Sequence, residues 1–326
     1  MARPGPSMST ASPDPADPGP GYRSAAYAAA LAGIGRARPF GATGGYLLER
    51  VIPECDHIDL MGPYPVFSCA GWEALGPAVA ALKEAHSGKT EPHSAPVSLT
   101  LVTDPVCPLS ASDLDAIFDL CRPLGDHYLI DLARPLVPSK HHRKKLRRAG
   151  AARIEAGPVP ADFGPAFAAL YQGLAEKKGI HDMRRFDAES LAAQLAIPGA
   201  HLVTAWDGTA LLGADLYYLD GAVAYAHLSA YAAEGYARAV SYPMIRAAHD
   251  YFAPRARWID LGGTPAHEAG LSGGGVGHFK RGWTDVTRPT YLCGAVLNPR
   301  AYARLAADRA PPGTTWFPAY RAGEFG

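Results

Sequence analysis

The segment HLVTAWDGTALLGADLYYLDGAVAYAHLSA, from His201 to Ala230, constrains the fold of this chain more than any other part of it. Three apolar runs rich in β-branched and aromatic residues are separated by Asp207-Gly208 and Asp220-Gly221. An Asp-Gly pair between such runs supplies the positive-φ positions of tight hairpin turns, so the segment reads as a three-stranded antiparallel meander. Its flanks give the class. Before it stand a short strand, ARIEAG (Ala152 to Gly157), and helices at Phe163 to Gly179 and Phe186 to Ala196. After it come a long helical stretch from Tyr236 to Ala256, a strand RWIDLGG, a strand RPTYLCGAVL and a final helix, PRAYARLAAD.

The first half alternates in the same way. Tyr22 to Arg36 has Ala and Leu at helical spacing, Gly44 to Ile52 reads as a strand, and Glu73 to Ala85 reads as a helix followed by a polar break from Ser87 to Ser94. Val97 to Thr103 is an apolar strand ending at Asp104-Pro105. SASDLDAIFDLCR begins with a Ser cap ahead of helically spaced apolar residues, and His127 to Leu132 is a further strand. Strand and helix in alternation describe an α/β (α+β) chain. The expected organisation is a disordered tail over 1–21, a first domain over 22–149, a second over 150–310, and a terminal segment, 311–326, packing back on the first.

Composition narrows the partners. Lys plus Arg and Asp plus Glu number 31 each, so the net charge is zero and any polyanion site must be local. Six Lys or Arg and two His fall between Lys140 and Arg148, which leaves a net six negative charges on the rest. No acid sits at i+4 spacing inside that run to pair with its cations. A phosphate-bearing ligand is the natural partner for Lys140, Arg143, Lys144, Lys145, Arg147 and Arg148, either a polynucleotide backbone or a pyrophosphate cofactor. The structural alternative is a solvated helix paired to carboxylates elsewhere. Five cysteines without a CxxC pair, no signal-like apolar core near the start and no apolar run of about 18 residues favour a cytoplasmic protein without a metal cluster or membrane span.

Chemistry concentrates between Ile259 and Trp283, IDLGGTPAHEAGLSGGGVGHFKRGW. An apolar strand ends on Asp260 and two glycines, and a glycine-rich loop from Thr264 to Gly277 then delivers Phe279-Lys280-Arg281-Gly-Trp, read here as a strand. Aspartate and glycine at the end of a strand commonly floor a binding cleft. Lys280 and Arg281 can offset charge on a reacting carbonyl. Tyr225, His227, Ser229 and Tyr242 are polar groups set among apolar positions, and His227 has the intrinsic pKa of a proton acceptor.

These residues carry a family resemblance. YPVF at Tyr64, TDP at Asp104, the basic helix, AYAHLSA from Ala224, Ser241-Tyr242, DLGG at Asp260 and HFKRGW together resemble the Fem-like aminoacyl-tRNA-dependent transferases, over roughly Gly44 to Leu305. The resemblance implies two tandem N-acetyltransferase-like (GNAT) domains with mixed sheets flanked by helices. It also implies transfer of an amino acid from its tRNA to an amine of a small peptide or nucleoside-peptide acceptor, without cofactor or metal. It places Lys280 at the tRNA acceptor end and the transition state, Phe279 beside it, and Asp104 near the acceptor. Tyr64, Tyr225, Ser229, Tyr242 and Asp260 join Asp104 as expected acceptor contacts. The long helical hairpin that some members carry is missing from the sequence pattern, so RNA contact would rest on the basic helix.

Three other readings compete. An acyl-CoA N-acyltransferase would share the fold, and Arg147 to Ala152 spells the R/QxxGxG/A phosphate-loop pattern, but at the end of a helix rather than its start. A non-catalytic nucleic-acid binder would need only the basic helix. A peptidoglycan-directed enzyme of the same family would differ in its acceptor alone.

Overall fold

The computed structural model describes residues 19–86, 95–150, 152–180, 185–264 and 275–324. Most of the N-terminal tail, the polar break at 87–94 and the glycine-rich loop at 265–274 lie outside them.

Eleven described strands form one mixed sheet. β1 (Arg36–Pro39), β2 (Tyr46–Val51), β3 (Ile58–Met61) and β4 (Pro96–Val102) occupy one end. β9 (Val223–Tyr231), β8 (Ala210–Asp220), β7 (Ala200–Asp207) and β6 (Arg153–Pro158) occupy the other, with β7 to β9 joined by the two Asp-Gly turns as the sequence predicts. Between them run β11 (Thr287–Val296), β5 (Leu120–Asp131) and β10 (Trp258–Gly263), so β11, late in the chain, lies between β4 and β5. β10 pairs parallel with β9 and antiparallel with β5.

Alternation along the strands sends side chains to two faces. On one face, Leu216 and Tyr218 of β8 and Tyr225 of β9 pack with Tyr27, Phe167 and Leu191 from α1 (Ala25–Ala30), α5 (Gly164–Lys178) and α6 (Ala188–Leu195). On the other, Tyr217 and Ile259 pack with Met244 and Phe252 of α8 (Ser241–Phe252) and with Trp283. α2 (Leu75–His86) and α3 (Ala111–Ile117) cover the β4–β11 region through Leu75, Val79 and Leu114, and α10 (Pro299–Arg309) adds Ala301 and Leu305 against Ile52 and Val97.

Three sequence expectations are corrected. The first helical stretch is only α1, because the chain must straighten into β1: a Cβ on Gly35 would stand 2.7 Å from the Glu49 carbonyl oxygen. The Ser110-capped helix ends at Ile117, and β5 begins at Leu120, since pairing with β11 overrides the helical spacing of the residues that follow. The long stretch from Tyr236 breaks at Ala239, where φ is 54°, into α7 (Ala233–Ala237) and α8.

The C-terminal segment packs against β2 to β4. Arg321 donates to Asp59 through Nε (2.5 Å) and Nη2 (3.2 Å), and to the Val51 carbonyl at 2.8 Å, with side-chain exposures of 8% for Arg321 and 3% for Asp59. Removing one partner of a buried ion pair strands the other charge. Arg321→Ala is therefore expected to destabilise the protein by about 3–5 kcal/mol in denaturant unfolding. A loss within about 0.5 kcal/mol, the usual surface effect, would show that Asp59 reaches solvent when unpaired.

Candidate active site

The first face of the sheet is a trough rather than a plane. Tyr225 of β9 donates its hydroxyl proton to Asp104 Oδ2 at 2.7 Å, although Asp104 follows β4, four places away in the sheet. Four strand spacings amount to about 19 Å in a flat sheet, far beyond the reach of a tyrosine, so the sheet curls on this side. Asp104 is buried, and its Oδ1 accepts from the Val106 N–H at 2.8 Å. Burial lifts its carboxyl to about 6 against the pull of the Val106, Tyr225 and Ser68 hydrogen bonds, with the nearby charge of Asp260 adding to the rise.

Asp260 is the second buried carboxylate of the trough. Its Oδ1 accepts from the Gly262 N–H at 2.7 Å and its Oδ2 lies 2.8 Å from Nδ1 of His127 on β5. β10 bulges against β5 between Asp260 and Gly263, and Gly262 takes the left-handed conformation, φ 77°, that makes the bulge possible. The bulge brings Lys280 and His127 to neighbouring backbone. Lys280 Nζ donates to the Gly263 carbonyl at 2.6 Å and would meet a Cβ on Gly262 at 3.3 Å, while the His127 ring would meet a Cβ on Gly263 at 3.2 Å.

FKR does not form a strand. It closes the short helix α9 (Gly275–Arg281), whose end is marked by the Gly282 N–H bonding to the carbonyls of His278 and Phe279. Phe279 and Trp283 hold this turn in an aromatic nest with Tyr242 and His142, ring centroids 4.8 to 6.1 Å apart. The sequence alone had no way to show this, because a seven-residue helix carries too little periodicity to be told from a strand.

The basic run is a helix, α4 (Lys140–Arg148), capped by Ser139. His142 is its one buried residue and its anchor. Nε2 of His142 donates to the Phe279 carbonyl at 2.8 Å, Nδ1 lies 2.9 Å from Ser139 Oγ, and the Ser139 N–H donates to the Gly282 carbonyl at 2.8 Å. A carbonyl only accepts, so Nε2 carries the proton and Nδ1 takes one from the serine, a neutral ring in keeping with the lowering of its pKa by burial. Gly282 has no alternative, since a Cβ there would stand 1.9 Å from the imidazole. α4 and α9 are thus docked as one unit. Lys140, Arg143, Lys144, Arg147 and Arg148 are exposed and Lys145 half-buried, and among the described residues none of the six forms an ion pair with a carboxylate.

The remaining expected site residues divide between the faces. Tyr64 packs against the trough cluster and accepts the Tyr27 hydroxyl on its carbonyl. Ser229, paired across the strands with Asp215, and Tyr242, in the aromatic nest, belong to the opposite face, away from Asp104 and Asp260. Arg281 donates to the Tyr128 hydroxyl at 3.2 Å rather than to Asp260. His227 occupies a bulge in β9, stacked on Tyr218 at 4.7 Å and edged by Tyr22 and Tyr27. Its Nδ1 lies 3.0 Å from the Tyr22 hydroxyl and its Nε2 lies 2.7 Å from Gln194 Oε1. With both nitrogens engaged and burial lowering its pKa to about 3, His227 is a neutral structural ring, which corrects the expectation that it accepts a proton. Sequence reasoning missed His127 and His142, whose partners lie 133 and 137 positions away.

The Asp104 assignment is open to titration. Tyr225→Phe removes a hydrogen bond that favours the carboxylate, so the Asp104 carboxyl, followed by carbon-13 NMR, is expected to titrate above its wild-type value of about 6. Because the folded value exceeds the unfolded one, this group by itself makes the native state more stable as pH falls through about 6. A downward or absent shift in the variant would mean that Tyr225 does not bond the carboxylate.

No protein-family model matches the chain, and no curated protein matches its sequence. Among solved structures the chain is similar to FemX, at 14% identity over 86% of this chain and 93% of that one, with a TM-score of 0.62. It is also similar to the C-terminal domain of a putative lysylphosphatidylglycerol synthetase from Agrobacterium fabrum, at 13% identity over 86% and 90% of the two chains, with a TM-score of 0.55. The chain therefore shares the mixed α/β fold of FemX and of that synthetase domain.

Proposed function

We propose that this protein is an acyltransferase that moves an aminoacyl group from charged tRNA to the amine of a small peptide-like acceptor, in the biosynthesis of a specialised peptide or nucleoside product. One observation carries the reading: α4, whose cations have no carboxylate partner among the described residues, is docked through His142 and Gly282 onto the helix that presents Lys280. A polyanion lying along α4 would bring its end to the Lys280 ammonium. The fold supports an acyl transfer.

The chemistry needs little beyond position. An aminoacyl ester is already activated, so the protein must align the amine, stabilise the oxyanion and handle one proton. Lys280 faces the carbonyl oxygen or the ribose leaving oxygen, and Phe279 holds the turn that carries it. The trough, with Asp104 and Asp260 at its floor and Tyr64 and Tyr225 beside them, offers polar groups to orient the neutral amine of an incoming acceptor. An acyl-CoA donor fits less well. The R/QxxGxG/A letters at Arg147 to Ala152 stand at the C-terminal end of α4, where the helix dipole is negative and repels pyrophosphate.

Lys280→Ala is expected to lower kcat for transfer from charged tRNA by about 10²–10³-fold, the usual loss for one oxyanion donor, while the protein stays folded with a stability loss of about 0.5–1.5 kcal/mol from the missing bond to the Gly263 carbonyl. Replacing Lys144, Arg147 and Arg148 together by Gln is expected to raise KM for charged tRNA and to flatten the dependence of binding on salt. Wild-type turnover in the first variant would remove Lys280 from the mechanism. A wild-type salt slope in the second would reduce α4 to a solvated face.

A further inference from the structure

We propose that His127 is the proton acceptor for the attacking amine and that Asp260 positions it for that task. The assignment rests on the acyl-transfer reading above and adds the base that reading lacks. His127 meets the geometric conditions that His227 fails. Its Nδ1 is held at 2.8 Å by the Asp260 carboxylate, which can only accept, so the neutral ring carries its proton on Nδ1 and leaves Nε2 with a lone pair. Among the described residues Nε2 has no hydrogen-bond partner. The His127 side chain keeps 12% of its exposure against 4% for Asp260, so the carboxylate is shielded while the ring edge reaches the trough.

The bulge in β10 arranges the rest. His127 is the register partner of Gly263, and a Cβ on that glycine would crowd Cδ2 at 3.2 Å and Nε2 at 3.3 Å. The same residue gives its carbonyl to Lys280 Nζ. A cation for the oxyanion and a base for the amine thus approach two adjacent glycines at the end of one strand. Among the described residues, the charged groups near the ring are Asp260 from β10, Arg288, its register partner on β11, and Lys280 of α9 at the Gly263 carbonyl.

The step balances without a further reagent. The acceptor amine attacks the ester carbonyl carbon and forms the C–N bond as its proton passes to His127 Nε2. The tetrahedral oxyanion is met by Lys280. Collapse breaks the C–O bond to the ribose, the imidazolium returns the proton to the leaving oxygen, and the products are an amide and a free hydroxyl. Asp260, hydrogen-bonded to Gly262 N–H and His127 together, stabilises the imidazolium while it exists.

Two measurements test the assignment. Nitrogen-15 NMR of the histidine rings in the wild-type protein needs no donor and is expected to show neutral His127 as the Nδ1–H tautomer; the Nε2–H tautomer would overturn the proposal, whatever the donor proves to be. His127→Gln and Asp260→Asn are then compared with wild type in amide formation, using labelled aminoacyl-tRNA and labelled acetyl-CoA in parallel. His127→Gln is expected to lose about 10²–10⁴-fold in kcat, with KM for the donor kept and the loss of rate at acid pH abolished. Asp260→Asn is expected to lose less and to shift the tautomer. A His127→Gln enzyme with the wild-type rate and pH profile would refute the base. Transfer from acetyl-CoA alone would refute the tRNA donor and leave the His127 comparison to be read with that donor.

Discussion

The structure depends on the double pairing of β10. This strand runs parallel to β9 along one edge and antiparallel to β5 along the other, and so joins the strands of the two ends into one sheet. Ile259 and Leu261 point to the α8 face and are buried there, which forces Asp260 onto the trough face. The Gly262 bulge then shifts the register by the amount that sets Gly263 opposite His127. A β-branched residue in place of Gly262 would have to adopt a φ of 77°, and the arrangement of Asp260, His127 and Lys280 would not form.

Two buried carboxylates in one trough are costly unless their oxygens are satisfied. Here each oxygen has a donor: Val106 N–H and Tyr225 OH for Asp104, Gly262 N–H and His127 for Asp260. The two sites differ in consequence. Asp104 is bound by neutral donors and is pushed toward protonation, whereas Asp260 faces an imidazole. Polar groups held this tightly beside the apolar cluster that packs under α1, α5 and α6 are suited to orienting a ligand.

Much of this was readable from local pattern. The Asp-Gly turns define β7 to β9, the charge run defines α4, and the acid followed by two glycines marks the end of β10. What failed to show has one cause, dependence on contacts between distant segments. The pairing of β5 with β11 turns residues after Ile117 from helix to strand. His227 reads as a base until Tyr22 and Tyr27, some 200 positions earlier, close around it with Gln194. His127 reads as an ordinary strand residue until the register of β10 places Asp260 beside it. Ser229 and Tyr242 share a neighbourhood in sequence with Tyr225 and His227, yet the pleat and the helix send them to the other face.

The central claim is the identity of the donor, and a competition of labels tests it most directly. The protein is incubated with total tRNA charged with radiolabelled amino acids and a panel of peptide amines, beside identical mixtures containing labelled acetyl-CoA. Label is expected to pass from tRNA into an amide product and to stop when the charged tRNA is treated with ribonuclease. Label passing only from acetyl-CoA would contradict the account and assign α4 to some other partner.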